Sequence, residues 1–372
     1  MAAILLALSN ACVKPYLPDV IQSPNQYLVI DGVVHPDTDT TVIRLSRSRN
    51  LADADGTILW ESGAQVFVES SGGQRYRLPE TGTGQYQTLL QIDPSDNYRL
   101  YVQTIDGKEY QSSFEPVMRT PQIDSIHWKQ DGDLYIYADT HDETDQVKYF
   151  RWEYKEVWEY RTPYESYHYW NGSGVVYRDL DSLVSRCWDS TLSSQVIIAT
   201  SDGTQGNLVR DKQITKILYP DRKLSAFYNI QVKQYGLTKG AYTYWDEIRK
   251  NGTQIGGVFD PLPSQLSTNL TCISNPEETV IGYFSIATVT KASRYISNTE
   301  LDGWVSTTPD QFQACKVLES YDPFTFEFYA NNPRYLIAYQ DLATLEYKLA
   351  LAECVDCRLS GGTTKKPGYW PR

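Results

Sequence analysis

Positive charge is in short supply. The chain carries 34 Lys and Arg against 46 Asp and Glu, a formal net charge of -12. Nucleic-acid binding needs clustered cations to displace phosphate counterions, so this balance argues against a nucleic-acid partner. It also argues against a polybasic membrane contact. Methionine is scarce, with 2 residues, and histidine is nearly so, with 4 (His35, His127, His141 and His168). One C-x2-C step at Cys354 and Cys357, with no suitably spaced histidine, does not make a zinc motif. The common catalytic signatures are also missing. There is no G-x-S-x-G, because Gly172-Ser173-Gly174 lacks the spacing, and there is no H-E-x-x-H or phosphate-binding loop. The sequence therefore reads as a non-enzyme, with no cofactor and no metal site. Scattered carboxylates of a glycosidase type rank last, since any two acids can meet in space.

Long apolar runs are absent as well. The run Ala2 to Leu8 is too short to span a bilayer, which takes about 20 apolar residues. It suits the core of a secretory signal. Ser9, Asn10 and Ala11 bring small or polar residues up to Cys12, although no Lys or Arg precedes the run. A cysteine directly after a small-residue cleavage site reads as a lipoprotein signal. Cys12 is then the lipid attachment point and the mature N-terminus. The next stretch, residues 13 to 26, holds three prolines and reads as an extended tether.

What the chain has in excess is tyrosine, 29 residues, with 9 Trp. Tyr favours strands and half-wet surfaces. From Tyr27 onward short alternating segments are broken by turns. Tyr98, Leu100 and Val102 alternate with Arg99, Tyr101 and Gln103, which marks a half-buried strand. Asp106-Gly107 is a hairpin signal. About seven strands in some 90 residues point to an immunoglobulin-like or transthyretin-like sandwich. After Thr120-Pro121 the β pattern continues into a fibronectin-like domain with insertions. It contains one helix at 240 to 251, with Ala241, Tyr244, Trp245 and Ile248 on one face. The division expected is a signal peptide at 1–11, a lipidated tether at 12–26, a β-sandwich at 27–118 and a second β domain at 119–372. The class is mainly β.

The densest aromatic stretch is 149 to 170. Phe150, Trp152 and Tyr154 alternate with polar residues and read as core. Beyond them the alternation fails near Pro163. The cluster Trp158, Tyr160, Tyr164, Tyr167, Tyr169 and Trp170 reads as a loop or hairpin tip that contacts a partner or ligand, because Tyr and Trp favour interfaces and stack on sugars. Cys187, Cys272, Cys315, Cys354 and Cys357 remain after Cys12. Five cysteines allow at most two disulfides and leave one thiol, with connectivity open. Calcium is the one ion the acid-rich loops raise: Asp37 and Asp39, Asp53 and Asp55, and Asp139, Asp142, Glu143 and Asp145. None matches the calcium loop of helix-loop-helix proteins, and solvated turns explain them better.

The last 20 residues end in Cys354, Cys357, Gly361, Gly362, Thr363, Pro367, Tyr369 and Trp370. With the YLVIDGVV opening, the DGKEYQSS hairpin, Cys187-Trp188, Tyr244-Trp245 and NLTCISNPEETVIGYF, this order resembles the Bacteroidota outer-membrane lipoproteins catalogued as domain of unknown function 4249. The resemblance implies an exported lipoprotein of the kind often encoded beside TonB-dependent receptors, and it assigns no catalytic residues. The Cys12 leader, the β-sandwich units, the aromatic cluster and the lack of a catalytic motif together lead us to expect a lipid-anchored accessory subunit in the outer membrane, docked on a β-barrel protein. Capture of glycans or peptides at the surface is the alternative. The expected location is the cell surface, with the periplasmic face left open because Asp19 is the first acid after Cys12.

Overall fold

Short segments of alternating side chains become strands here because each buries one face and wets the other. The structure, a computed structural model, describes residues 26–36, 39–49, 57–253, 266–304, 315–318 and 322–371. Cys12, Asp37, Asp53 and Asp55 lie outside the described residues. The fold is mainly β, in two units with separate cores.

The first unit is a sandwich of two six-stranded sheets. One runs, in spatial order, through Val280–Gly282, Leu28–Asp31, Thr41–Arg47, Gln85–Thr88 and Glu80–Gly82, with Leu59–Trp60 also on Thr41–Arg47. The other runs through Leu270–Cys272, Glu109–Ser112, Asn97–Gln103, Gln65–Ser70 and Arg75–Leu78, with Glu115–Pro116 also on Asn97–Gln103. Tyr98, Leu100 and Val102 point into the core, as their alternation predicts, beside Leu28, Leu45, Val66 and Val68.

Each sheet is closed at one edge by a strand from a segment far along the chain. Residues 266–286 return to this unit, whereas the sequence division places everything after 118 in the second. Val280–Gly282 pairs in parallel with Leu28–Asp31, and Leu270–Cys272 pairs antiparallel with Glu109–Ser112. Gly282 makes the close approach feasible, because it sits at φ 137° and any Cβ there would strike the Ile30 carbonyl. Glu278 adds polar ties from the Tyr110 hydroxyl at 2.6 Å and the Lys108 ammonium at 2.7 Å.

The second unit is built on a sheet ordered Arg186–Leu192, Tyr149–Arg161, Phe227–Leu237 and Val289–Ser297. Ile197–Thr200 also pairs with the long Tyr149–Arg161 strand. A three-stranded sheet of Ile123–Asp131, Asp133–His141 and Leu208–Ile217 supplies Leu134, Ile136, Ala138 and Ile214 to the same core. The helix, Lys239–Thr253, buries Ala241 and Tyr244. The Arg151 guanidinium lies 3.9 Å above the Trp245 ring.

Two disulfides tie the end of the chain into this unit: Cys187–Cys357 and Cys315–Cys354. Cys272 remains a buried thiol in the first unit. The C-terminus packs over the outer face of the long strand. Trp370 meets Phe227 edge-on, its Nε1 donates to Glu159, and Val157 and Trp188 complete a small cluster.

Candidate functional site

The long strand explains which aromatic residues are available. Its first half alternates, burying Phe150 and Trp152. From Glu156 to Tyr160 both faces are covered, so alternation disappears while the strand continues. Trp158 is 5% exposed and Tyr160 is fully buried, its hydroxyl donating to the Cys357 carbonyl at 2.8 Å. Reading these two as contact residues is therefore incorrect. The segment without alternation is a strand covered on its second side by Trp370 of the C-terminal tail, with Phe227 and Trp188.

The other four meet in a separate aromatic assembly. His168–Trp170 and Val175–Tyr177 form a hairpin, turned by Asn171, whose side chain accepts from the Ser173 and Gly174 amides. A second hairpin pairs Tyr335–Gln340 with Tyr347–Leu351. A short helix, Pro323–Ala330, completes the group. Asp322 caps it, accepting from the Phe324 and Thr325 amides, and Pro323 opens its first turn. The Cys315–Cys354 bridge staples the region, and Val317 makes an isolated bridge to Ala350.

Within this assembly the rings interlock. Tyr164 packs on Tyr339 at 6.0 Å and its hydroxyl donates to the Cys315 carbonyl. Tyr167 stacks on Tyr177, and His168 lies edge-on to both Tyr177 and Tyr347. Trp170 meets Phe326 edge-on at 5.9 Å, and its Nε1 donates to Asn331 at 2.9 Å. On the helix Phe326 thus faces the hairpin. Phe324 and Phe328, one turn apart, are 87% and 68% exposed. Tyr169, Tyr177, Tyr339, Leu342 and Leu345 are exposed on the same assembly. Apolar side chains displayed this fully are a recurrent feature of interaction surfaces.

Arg178, directly after the first hairpin, lies over Tyr169 at 5.2 Å. Burial pushes its guanidinium below the usual range, Asp356 acting against that and Arg358 with it. Sequence reading missed Arg178, Tyr177, Phe324, Phe326, Phe328, Tyr339 and Tyr347. The alternation Phe324-Thr325-Phe326-Glu327-Phe328 after a capping Asp322 was the available signal.

The acid-rich loops are already partnered by protein groups. Asp142 accepts from the Thr144, Gln146 and Val147 amides and the Thr144 hydroxyl. Burial alone would raise its pKa, but these bonds hold it below the usual carboxylate range. Asp145 pairs with Lys148, and Asp139 accepts from Ser125 and the Asp211 amide. His127, Asp139 and Asp211 bring ligand-type atoms within 4.8 Å of one another. Lys129 Nζ sits 2.8 Å from Asp211 Oδ1, however, and His127 Nε2 also lies 2.8 Å from that oxygen. The cluster thus carries its own cation.

A family model described as Domain of unknown function (DUF4249) matches residues 13–293. The C-terminal cysteines and the Pro-Gly-Tyr-Trp close lie beyond that match. None of the curated proteins matches. Among solved structures, one similar chain is titled "Cytokine receptor complex - Crystal form 2", with 12% identity and a TM-score of 0.19, covering 56% of this chain and 90% of that one. Another is a putative membrane anchored protein from Corynebacterium diphtheriae, with 12% identity and a TM-score of 0.19, covering 58% of this chain and 56% of that one. Such low TM-scores carry no argument about fold or role. The family match spans well over half of the sequence, and the chain belongs to the DUF4249 family.

Proposed function

We propose that this chain is a non-enzymatic outer-membrane lipoprotein, held by an acylated Cys12, that docks as an accessory subunit on a TonB-dependent receptor or another β-barrel complex. The observation that carries the reading is the stapled aromatic assembly, with Phe324 and Phe328 displayed on a capped helix. Aromatic anchors on a rigid support are what protein interfaces use to gain affinity at little entropic cost. The alternative, glycan or peptide capture, draws on the same rings. Trp170, the ring best suited to stacking on a sugar, is engaged by Phe326 and Asn331, which favours protein docking.

The test is purification of the tagged full chain, at native level, from membranes. A barrel protein should co-purify with the wild type and be lost from Phe324→Ser/Phe328→Ser, whose exposed positions leave folding intact. Recovery of the chain alone, or of an undiminished complex with the variant, contradicts the reading.

A further inference from the structure

Arg178 makes no side-chain hydrogen bond and no ion pair among the described residues. Its Nε is enclosed by protein and has no partner. Most other partly buried basic side chains of this unit find a carboxylate: Arg186 holds Glu159, Lys223 holds Glu156 and Arg222 holds Asp189. The acid nearest to serving Arg178 is Asp356, which is buried and already spent. Both its oxygens accept from Arg358, with Nε at 2.9 Å and Nη2 at 2.6 Å, and the Arg358 amide takes Oδ1 as well.

The guanidinium therefore stands half-buried over an aromatic ring, within electrostatic reach of Asp356 but paired with no carboxylate. Burying a charge without a counter-ion costs stability, and a fold does not gain from keeping one. Arg does not escape the cost by deprotonating. The residue as a whole keeps part of its surface in solvent, while its Nε is enclosed. Its neighbours are Tyr169 beneath it and Tyr177 before it, both exposed.

We propose that Arg178 is the anion-recognition point of the aromatic assembly, receiving a side-chain or terminal carboxylate presented by a polypeptide partner. This rests on the reading that the assembly docks on protein. The planar fork matches a carboxylate through two parallel hydrogen bonds, formed beside the Tyr169 ring. The cation–π contact with Tyr169 holds the guanidinium in place before the partner arrives.

The test uses the purified full mature chain on an array of random short peptides. Wild type should select peptides with Asp or Glu next to aromatic or apolar residues. Arg178→Gln should lose that selection by about ten-fold or more, the scale of a charge-assisted hydrogen bond. Arg178→Lys, lacking the fork, should recover only part. The thermal midpoint of Arg178→Gln should equal or exceed that of wild type, since a half-buried cation with no ion pair is removed. The proposal is overturned by no acidic selection, by selection that survives Arg178→Gln, by displacement by inorganic phosphate or glucuronate in preference to carboxylate peptides, or by marked destabilisation by Arg178→Gln. Loss of the barrel partner on Phe324→Ser/Phe328→Ser but not on Arg178→Gln would sink this inference and leave the docking reading standing.

Discussion

Removing the Cys187–Cys357 bridge should destabilise the second unit far more than any single surface change. The bridge closes a loop of 170 residues, and chain entropy for a loop of that size amounts to about 5 kcal/mol. Both sulfurs are buried, so truncation adds a small packing loss. Residual order in the unfolded chain works the other way, and measured values for such bridges run at about 2–4 kcal/mol. The perturbation is Cys187→Ala/Cys357→Ala, with Cys315–Cys354 left intact. Tryptophan fluorescence suits the assay, because of the 9 Trp only Trp60 lies in the first unit. The urea midpoint should fall by about 1 M or more, taking a slope of about 2–3 kcal/mol per M. Cys315→Ala/Cys354→Ala opens a loop of 39 residues, worth about 4 kcal/mol, and should chiefly loosen the aromatic assembly. A shift below about 0.3 M for the first pair would refute the reasoning.

Three further outcomes are expected. Gln234→Leu leaves the fully buried Trp152 indole N–H without its 2.8 Å acceptor, so calorimetry should show a loss of about 1–3 kcal/mol. Gly362→Ala drives a Cβ against the Tyr160 hydroxyl and to 2.7 Å from Cys187 Cβ, so it should cost about 1–3 kcal/mol by chemical denaturation. The exposed His141 has its pKa raised, first by its hydrogen bond to Asp124 and secondarily by Glu143. That contribution is full below the unfolded value of about 6.5 and fades as pH rises through the higher folded value. His141→Gln should flatten the stability profile in that window; an unchanged profile counts against the pairing.

Period-2 patterns were readable wherever one face is buried and the other wet. Tyr98, Leu100 and Val102 fell inward as their spacing predicts, as did Phe150 and Trp152. The reading failed at Trp158 and Tyr160, because burial on both faces erases alternation and the covering groups, Phe227 and Trp370, come from distant segments. The return of residues 266–286 was equally hidden. A parallel pairing of Val280–Gly282 with Leu28–Asp31 leaves no local trace beyond Gly282. For the candidate site, Tyr164, Tyr167, Tyr169 and Trp170 were legible through composition alone. Their partners were not, since Phe326 sits on a helix and Tyr339 and Tyr347 on a hairpin, both far along the chain and stapled by a disulfide. Arg178 leaves no trace in the sequence, because its lack of an ion pair depends on Arg358 holding Asp356.

The central claim, that the aromatic assembly meets a β-barrel in the membrane, is tested most directly by site-specific photo-crosslinking in cells. A benzoylphenylalanine in place of Phe324 should yield an adduct containing a barrel protein. The same group in place of Ile105, an exposed position on the first unit, should not. No barrel adduct from position 324, or equal yields from both positions, contradicts the account.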